Sequence, residues 1–173
     1  VDPNSGSPRQ LTANAGKNDF PEVSPDERYI VFRSDRSGTN SVWRIDIDGS
    51  NPKQLVAGSD RPGSFSPDGG EIIFVRNLNK QTVWKVSIEG GEPVQLTDKQ
   101  STSPRFSPDG KQFVCLLFDD AKSGPKIAIF PSTGGSPIKT FPAPKTIGTS
   151  LRWTPDGQSI AYADIKGGVG NIW

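Results

Sequence analysis

A Pro-Asp turn motif returns four times along this chain, and it constrains the fold more than any other feature. It reads Ser-Pro-Asp-Glu once, Ser-Pro-Asp-Gly twice and Thr-Pro-Asp-Gly once, with the prolines at Pro25, Pro67, Pro108 and Pro155. Neighbouring prolines are 42, 41 and 47 residues apart. Self-similarity at a period of about 20–50 residues is typical of solenoids, propellers and repeat arrays. The chain is therefore built from four similar units.

Each unit shows the same order of events around its motif. An apolar residue comes before the motif and a β-rich run after it, as in Tyr29-Ile30-Val31-Phe32. A polar turn, a second run such as Val83-Trp84 and a glycine turn follow, and the unit closes on a run such as Gln95-Leu96-Thr97. Turn signals between short alternating runs are typical of β-hairpins. The order predicts four short antiparallel strands in every 42 or so residues, which is the blade of a β-propeller.

Composition supports an all-β fold. Ile and Val together outnumber Leu by 24 to 7, and the chain holds 19 Gly and 16 Pro. β-branched residues suit pleated strands, and no segment of ten residues carries a sustained helical stripe. We predict a single β-propeller or half-propeller domain over 1–173, built of four-stranded antiparallel blades. The four blade equivalents cover about 13–55, 56–97, 98–141 and 142–173, the last closed by 1–12.

Residue counts exclude several functions. The chain has no His and one cysteine, Cys115, so Ser-His-Asp and Cys-His chemistry and Cys/His zinc sites are excluded. A formal charge of +1 argues against nucleic acid as a partner. The longest apolar run, 113–118, is too short to enter a membrane as a spanning helix. We expect no enzyme activity, no cofactor and no metal.

The repeated aspartates and tryptophans have two readings each. Asp26, Asp68, Asp109 and Asp156 could be metal ligands or acid–base pairs, but blade symmetry repeats structural turns and separates the copies. Trp43, Trp84 and Trp173 could form a stacking platform, but recurrence at one blade position favours packing between neighbouring blades. We predict a structural role for both sets.

Loops that vary while the scaffold repeats are the natural recognition surface. Propeller geometry brings the blade-to-blade loops and the loops between second and third strands to one face, around the central channel. In this sequence those loops are polar and differ between blades. The predicted recognition residues are Asn18, Asp19, Asp35, Arg36, Asp60, Arg61, Lys99 and Gln100.

The order Pro-x-Phe-Ser-Pro-Asp-Gly, strand, Ser-Asp-Arg-Ser-Gly, Val-Trp and Gly-Gly-x-Pro-x-Gln-Leu-Thr resembles the TolB-type, WD40-like propeller repeat. The resemblance implies a bacterial, non-catalytic scaffold that binds a protein or peptide, and an extracytoplasmic, periplasmic location. The alternative is an accessory propeller of a larger enzyme or signalling protein: a prolyl oligopeptidase-like peptidase, a bacterial kinase or a transcription regulator.

The ends of the chain raise a question of closure. Residues 1–12 resemble the second half of a blade, and 170–173 resemble the start of a third strand. The blades could close within one chain, between two chains as an eight-bladed homodimer, or as part of a larger propeller. We favour the homodimer or the larger propeller, since four twisted sheets close only with steep inclination.

Overall fold

Four antiparallel sheets follow one another along the chain in the computed structural model, which describes residues 6–13, 16–58, 61–119 and 124–173. Each sheet is a meander whose strands pair in chain order. This arrangement confirms the predicted all-β propeller of antiparallel blades.

The strand bounds repeat from blade to blade. Blade 1 holds β1 (Asn18–Val23), β2 (Tyr29–Ser34), β3 (Ser41–Asp46) and β4 (Lys53–Val56). Blade 2 holds β5 (Arg61–Phe65), β6 (Glu71–Asn77), β7 (Gln81–Ser87) and β8 (Val94–Gln95). Blade 3 holds β9 (Gln100–Phe106), β10 (Gln112–Phe118), β11 (Lys126–Pro131) and β12 (Lys139–Pro142). Blade 4 holds β13 (Ile147–Trp153), β14 (Ile160–Lys166) and β15 (Val169–Ile172).

Apolar layers between neighbouring sheets form the core. The layer between blades 1 and 2 is the cluster Val31, Val42, Leu55, Val56, Phe65, Ile72, Phe74, Val86 and Ile88. A second layer, between blades 2 and 3, includes Ile73, Phe113 and Cys115, and a third joins Val114 of blade 3 to Leu151 of blade 4. The second strands of blades 2 and 3, β6 and β10, are therefore buried on both faces, which explains their continuous apolar runs.

Cys115 lies within the second layer and is fully buried. Burial raises the pKa of its thiol, while the hydrogen bond with Ser101 lowers it. A thiol in such an environment is an inert packing group.

The N-terminal segment 6–13 lies against blade 1. Leu11 packs on Ile30, Phe32 and Ile45, and its carbonyl oxygen is 2.8 Å from where a Cβ on Gly49 would stand. Leu96 has the same relation to Gly134 of blade 3, also at 2.8 Å. Segment 6–13 thus contacts blade 1 in the same way that the residue after β8, the outer strand of blade 2, contacts blade 3.

Closure of blade 4 by residues 1–12 stays a prediction. Residues 1–5 lie outside the described residues, and within the described ranges the fourth sheet has three strands. Between these described strands, blade 1 contacts blade 2, blade 2 contacts blade 3 and blade 3 contacts blade 4, whereas blades 1 and 4 make no strand contact. In the described ranges, no helix is long and apolar enough to span a bilayer.

Candidate functional site

The four Pro-Asp motifs form the turns between the first and second strands of the blades. In each turn the Ser or Thr hydroxyl donates to the carboxylate two residues on. The same hydroxyl accepts a hydrogen bond from the backbone amide five residues on, which is that of Ser159 in blade 4. The hydroxyl-to-carboxylate distances are 2.6 Å for Ser24–Asp26, 2.5 Å for Ser66–Asp68, 2.6 Å for Ser107–Asp109 and 2.5 Å for Thr154–Asp156. Every aspartate also accepts from the backbone amide two residues later.

These bonds occupy the carboxylates within their own turns. The hydroxyl bond, followed by the backbone amide bond, lowers the pKa of Asp26, Asp68, Asp109 and Asp156 from the ordinary value of 3.8. Across the part of the chain that the structure describes, no group of three or more Cys, Asp or Glu side chains is placed to hold a metal. The geometry supports turn formation as the role of the four aspartates.

The turn bonds predict a specific loss of stability in acid. A carboxyl whose pKa is lowered by folding stabilises the fold above its unfolded pKa, and this contribution disappears as the pH falls through the folded value. Asp109→Asn, which cannot ionise, is therefore expected to lower the urea midpoint at pH 7, and its difference from wild type should shrink below about pH 4. Glu92→Gln, at an exposed carboxyl outside the turns, is the control. An equal difference at pH 7 and pH 3 for Asp109→Asn would contradict the assignment.

The tryptophans of the third strands occupy one blade position in three different environments. Trp84 is half-buried against the layer between blades 1 and 2, and its Nε1 donates to Thr82 at 2.8 Å. Trp43 packs with Leu11 on the outer face of blade 1. Trp173 lies opposite Tyr162 and is 66% exposed. Among the three, Trp84 therefore packs between two described blades.

Four of the predicted recognition residues lie together in blade 1, at the start of β1 and just after β2. The Lys17 backbone amide donates to Asp35 at 2.8 Å, and Arg36 donates to Asn18 at 3.5 Å. Asp19 forms an ion pair with Arg33. The Arg36 guanidinium lies 4.9 Å from the centre of the Trp43 ring, and burial lowers its pKa. These residues form an ordered polar network.

The other predicted residues are spread over the next two blades. Arg61 begins β5 and places its guanidinium 4.8 Å from the centre of the Phe20 ring. Lys99 and Gln100 are exposed at the start of β9. The Lys126 hydrogen bond lowers the pKa of nearby Asp119 most, and Lys99 adds a smaller contribution. Asp60 lies outside the described residues.

A cavity of about 250 Å³ is lined by residues of the first strands of all four blades. Its walls come from β1, β5, β9 and β13, so it is a section of the central channel. Three arginines and one carboxylate line it: Arg61, Arg105, Arg152 and Glu22. Arg105 Nη1 is 3.0 Å from Glu22 Oε1, which links blade 3 to blade 1 across the channel.

Two residues of these walls have a strained backbone. Phe20 and Ser103 have φ of 52° and 56°, although neither is glycine. Each lies where the pairing of an inner strand with its neighbour shifts register. Such conformations cost about 1–3 kcal/mol and cluster at functional sites. Glu27 and Asn51, in turns of blade 1, have similar φ of 58° and 51°, so backbone strain does not by itself separate the channel from the turns.

Sequence reasoning missed the channel residues. Glu22, Arg105 and Arg152 line the cavity, and each stands two positions before the Ser or Thr of its Pro-Asp motif, where blade 2 has Ser64. The position that follows is apolar in every blade, while this one changes between acidic, neutral and basic side chains. Variation at one fixed position inside a repeated strand was the signal that could have found them.

Comparison with known proteins defines the class of this fold. TolB from Acinetobacter baumannii matches over 99% of this chain and 43% of its own, with a TM-score of 0.83 and 24% identity. An acylaminoacyl peptidase from Pyrococcus horikoshii matches over 84% of this chain and 27% of its own, with a TM-score of 0.63 and 17% identity. The fold is thus a TolB-like β-propeller, also similar to the propeller domains of peptidases.

The family follows from the sequence match. Residues 11–122 match the model of the dipeptidyl peptidase IV N-terminal region. The chain belongs to this family. An uncharacterised protein of Agrobacterium fabrum, Atu1656, is 39% identical over 77 residues, which is 43% of this chain and 26% of that protein. The chain thus spans less than half the length of each of these relatives.

Proposed function

We propose that this chain is a non-catalytic propeller scaffold that binds a protein or peptide at the mouth of its central channel. One observation carries the proposal: charged side chains from all four blades converge on one cavity of about 250 Å³. A concave site on a rigid scaffold, with few polar groups converging on it, is where a ligand binds by default.

The non-catalytic part rests on the side chains present. The chain contains no His, and its one thiol is fully buried with its pKa raised by burial. The turn carboxylates are held by hydrogen bonds within their turns. General acid–base and nucleophilic catalysis need exposed groups with suitable pKa values, and these features supply none.

A phage-displayed dodecapeptide library, selected on the immobilised chain, tests the proposal. We expect enriched peptides that bind the wild type and bind Ser150→Trp at least about tenfold more weakly, because Ser150 lines the channel and the indole would fill it. Lys111→Trp, at an exposed turn on blade 3, is the matched control and should bind as the wild type does. Mass spectrometry should recover the peptides intact.

Three results would count against the proposal. Enriched peptides that bind wild type, Ser150→Trp and Lys111→Trp equally would remove the channel as the site, and failure to enrich any peptide would do the same. Cleaved peptides, with cleavage abolished by one point mutation, would overturn the non-catalytic part.

The family match and the peptidase fold similarity favour a second candidate, a propeller that gates a separate hydrolase domain. Prolyl oligopeptidase-like enzymes carry a Gly-x-Ser-x-Gly nucleophile turn and a His on another domain. This chain holds neither. The sequence of the whole gene therefore decides between the candidates: a hydrolase domain with both features supports the gate, and its absence supports the independent scaffold.

A further inference from the structure

We propose that the central channel selects carboxylate groups of an acidic peptide segment, through Arg61, Arg105 and Arg152. This inference rests on the proposed function and names the chemistry of its ligand. The three arginines line the same cavity as one carboxylate, Glu22. The whole chain has a formal charge of only +1, so the excess of positive charge is local to the channel.

The charges in the channel are only partly compensated. Glu22 lies against Arg105, whose side chain is 21% exposed. Arg152 donates to the backbone oxygen of Leu151 at 3.0 Å, and Arg61 rests on the Phe20 ring. Within the described ranges neither Arg152 nor Arg61 forms a salt bridge with a carboxylate. The guanidiniums of Arg61 and Arg152 are therefore available to form an ion pair with an incoming anion.

The lowered pKa of Arg105 also supports an anion-binding site in the channel. Burial lowers the pKa of this side chain most, the Glu22 charge raises it, and the Arg152 charge lowers it. Arg105 and Arg152, on the contacting strands β9 and β13, thus repel each other. An anion between them would relieve that repulsion, and a cleft lined by one sign of charge attracts the opposite sign.

The shape and chemistry of the walls favour a carboxylate on a peptide. Glu22 beside Arg105 shows that a carboxylate fits this channel, and arginine forks match carboxylates geometrically. The charge of Glu22 itself disfavours a phosphate dianion at close range. The Phe20 ring already carries the guanidiniums of Arg33 and Arg61, at 4.7 and 4.8 Å, so it is not free to stack on a sugar ring.

Fluorescence anisotropy with three labelled peptides tests the inference. The first alternates Gly and Asp and ends in an amide, the second alternates Gly and Asn and ends in a free carboxylate, and the third is the same Asn peptide with an amide end. We expect the amidated Asp peptide to bind at least about tenfold more tightly than the amidated Asn peptide, with affinity falling as salt rises. Binding of the second peptide but not the third would also support the inference and would assign the carboxylate to a chain terminus.

Single substitutions locate the site. Arg152→Gln and Arg61→Gln should each weaken binding of the carboxylate peptide about tenfold, since a charged hydrogen bond is lost. Arg28→Gln, at a side chain 68% exposed beside the blade 1 turn, should leave it within about twofold. Thermal unfolding of each variant checks that the fold is retained.

The inference fails if the three peptides bind equally, or if Arg152→Gln and Arg61→Gln bind as the wild type does. Trigalacturonate is an oligosaccharide that carries carboxylate groups. Its binding, without binding of either carboxylate peptide, would also overturn the inference, because the ligand would then not be a peptide. Failure of the inference is distinguishable from that of the proposed function. Suppose that the enriched library peptides lack Asp and Glu, and that Ser150→Trp still weakens their binding. The proposal of a peptide-binding scaffold would then stand, and the proposal that the channel selects carboxylate groups would be wrong.

Discussion

Replacing Phe74 with alanine is expected to lower the free energy of unfolding by about 3–5 kcal/mol. Phe74 is on β6, is fully buried and belongs to the apolar layer between blades 1 and 2. It lies opposite Trp84 on the neighbouring strand, so the ring is enclosed from its own sheet and from blade 1. Truncation would leave a cavity that the two sheets cannot fill without moving apart.

Urea denaturation at pH 7 measures this loss. Phe118→Ala is the matched control, because Phe118 is the same residue type at the end of β10 and is 37% exposed. We expect the control to cost no more than about half as much as Phe74→Ala. Equal midpoints for Phe74→Ala and Phe118→Ala would contradict the packing of blade 1 on blade 2.

The sequence predicted the blade because its signals are local and repeated. The Pro-Asp motif fixes a tight turn through bonds that span five residues, as between Ser66 and Glu71. Gly69 and Gly110 adopt φ of 73° and 69°, and Glu27 holds the equivalent position in blade 1 at 58°. These turn residues can be recognised without knowing which sheet packs beside them. The turns and the strands that they join could therefore be predicted from the sequence.

The channel could not be predicted in the same way, because its contacts join residues far apart in the chain. Glu22 and Arg105 meet only when blades 1 and 3 stand around one axis. The sequence predicted the rim residues at blade-to-blade loops, where Arg61 does border the cavity. Arg105 and Arg152 lie inside strands, where a charged residue is ordinarily interpreted as the solvent-facing member of an alternating pattern.

The tryptophans show how tertiary context changes the environment of a repeated residue. Trp84 and Trp173 hold equivalent positions in their third strands, yet Trp84 is half-buried and Trp173 is 66% exposed. The difference follows from the neighbours: blade 1 covers Trp84, while β15 is the outermost described strand of its sheet. A repeat predicts position in the blade, and burial depends on what packs beside it.

The second large effect is expected at Gly63, on the wall of the channel. A Cβ at this position would lie 2.7 Å from the backbone oxygen of Pro104 and 2.8 Å from that of Ile73. Both obstacles are main-chain atoms, of β9 and β6, so neither can rotate away as a side chain would. The close approach is reinforced by the adjacent residue, since Ser64 Oγ accepts from the Phe106 amide at 3.0 Å.

Gly63→Ala is therefore expected to cost about 3 kcal/mol, the upper part of the usual range for atoms inserted into a packed site. Gly170→Ala is the matched control, because a Cβ there meets nothing within 4 Å, and it should change stability by no more than about 0.5 kcal/mol. Urea midpoints at pH 7 compare the two variants. If Gly63→Ala unfolded at the same urea concentration as Gly170→Ala, β5 and β9 could not approach as closely as described. The inner strands would then line a wider channel, and the grouping of Arg61, Arg105 and Arg152 around one cavity would lose its geometric basis.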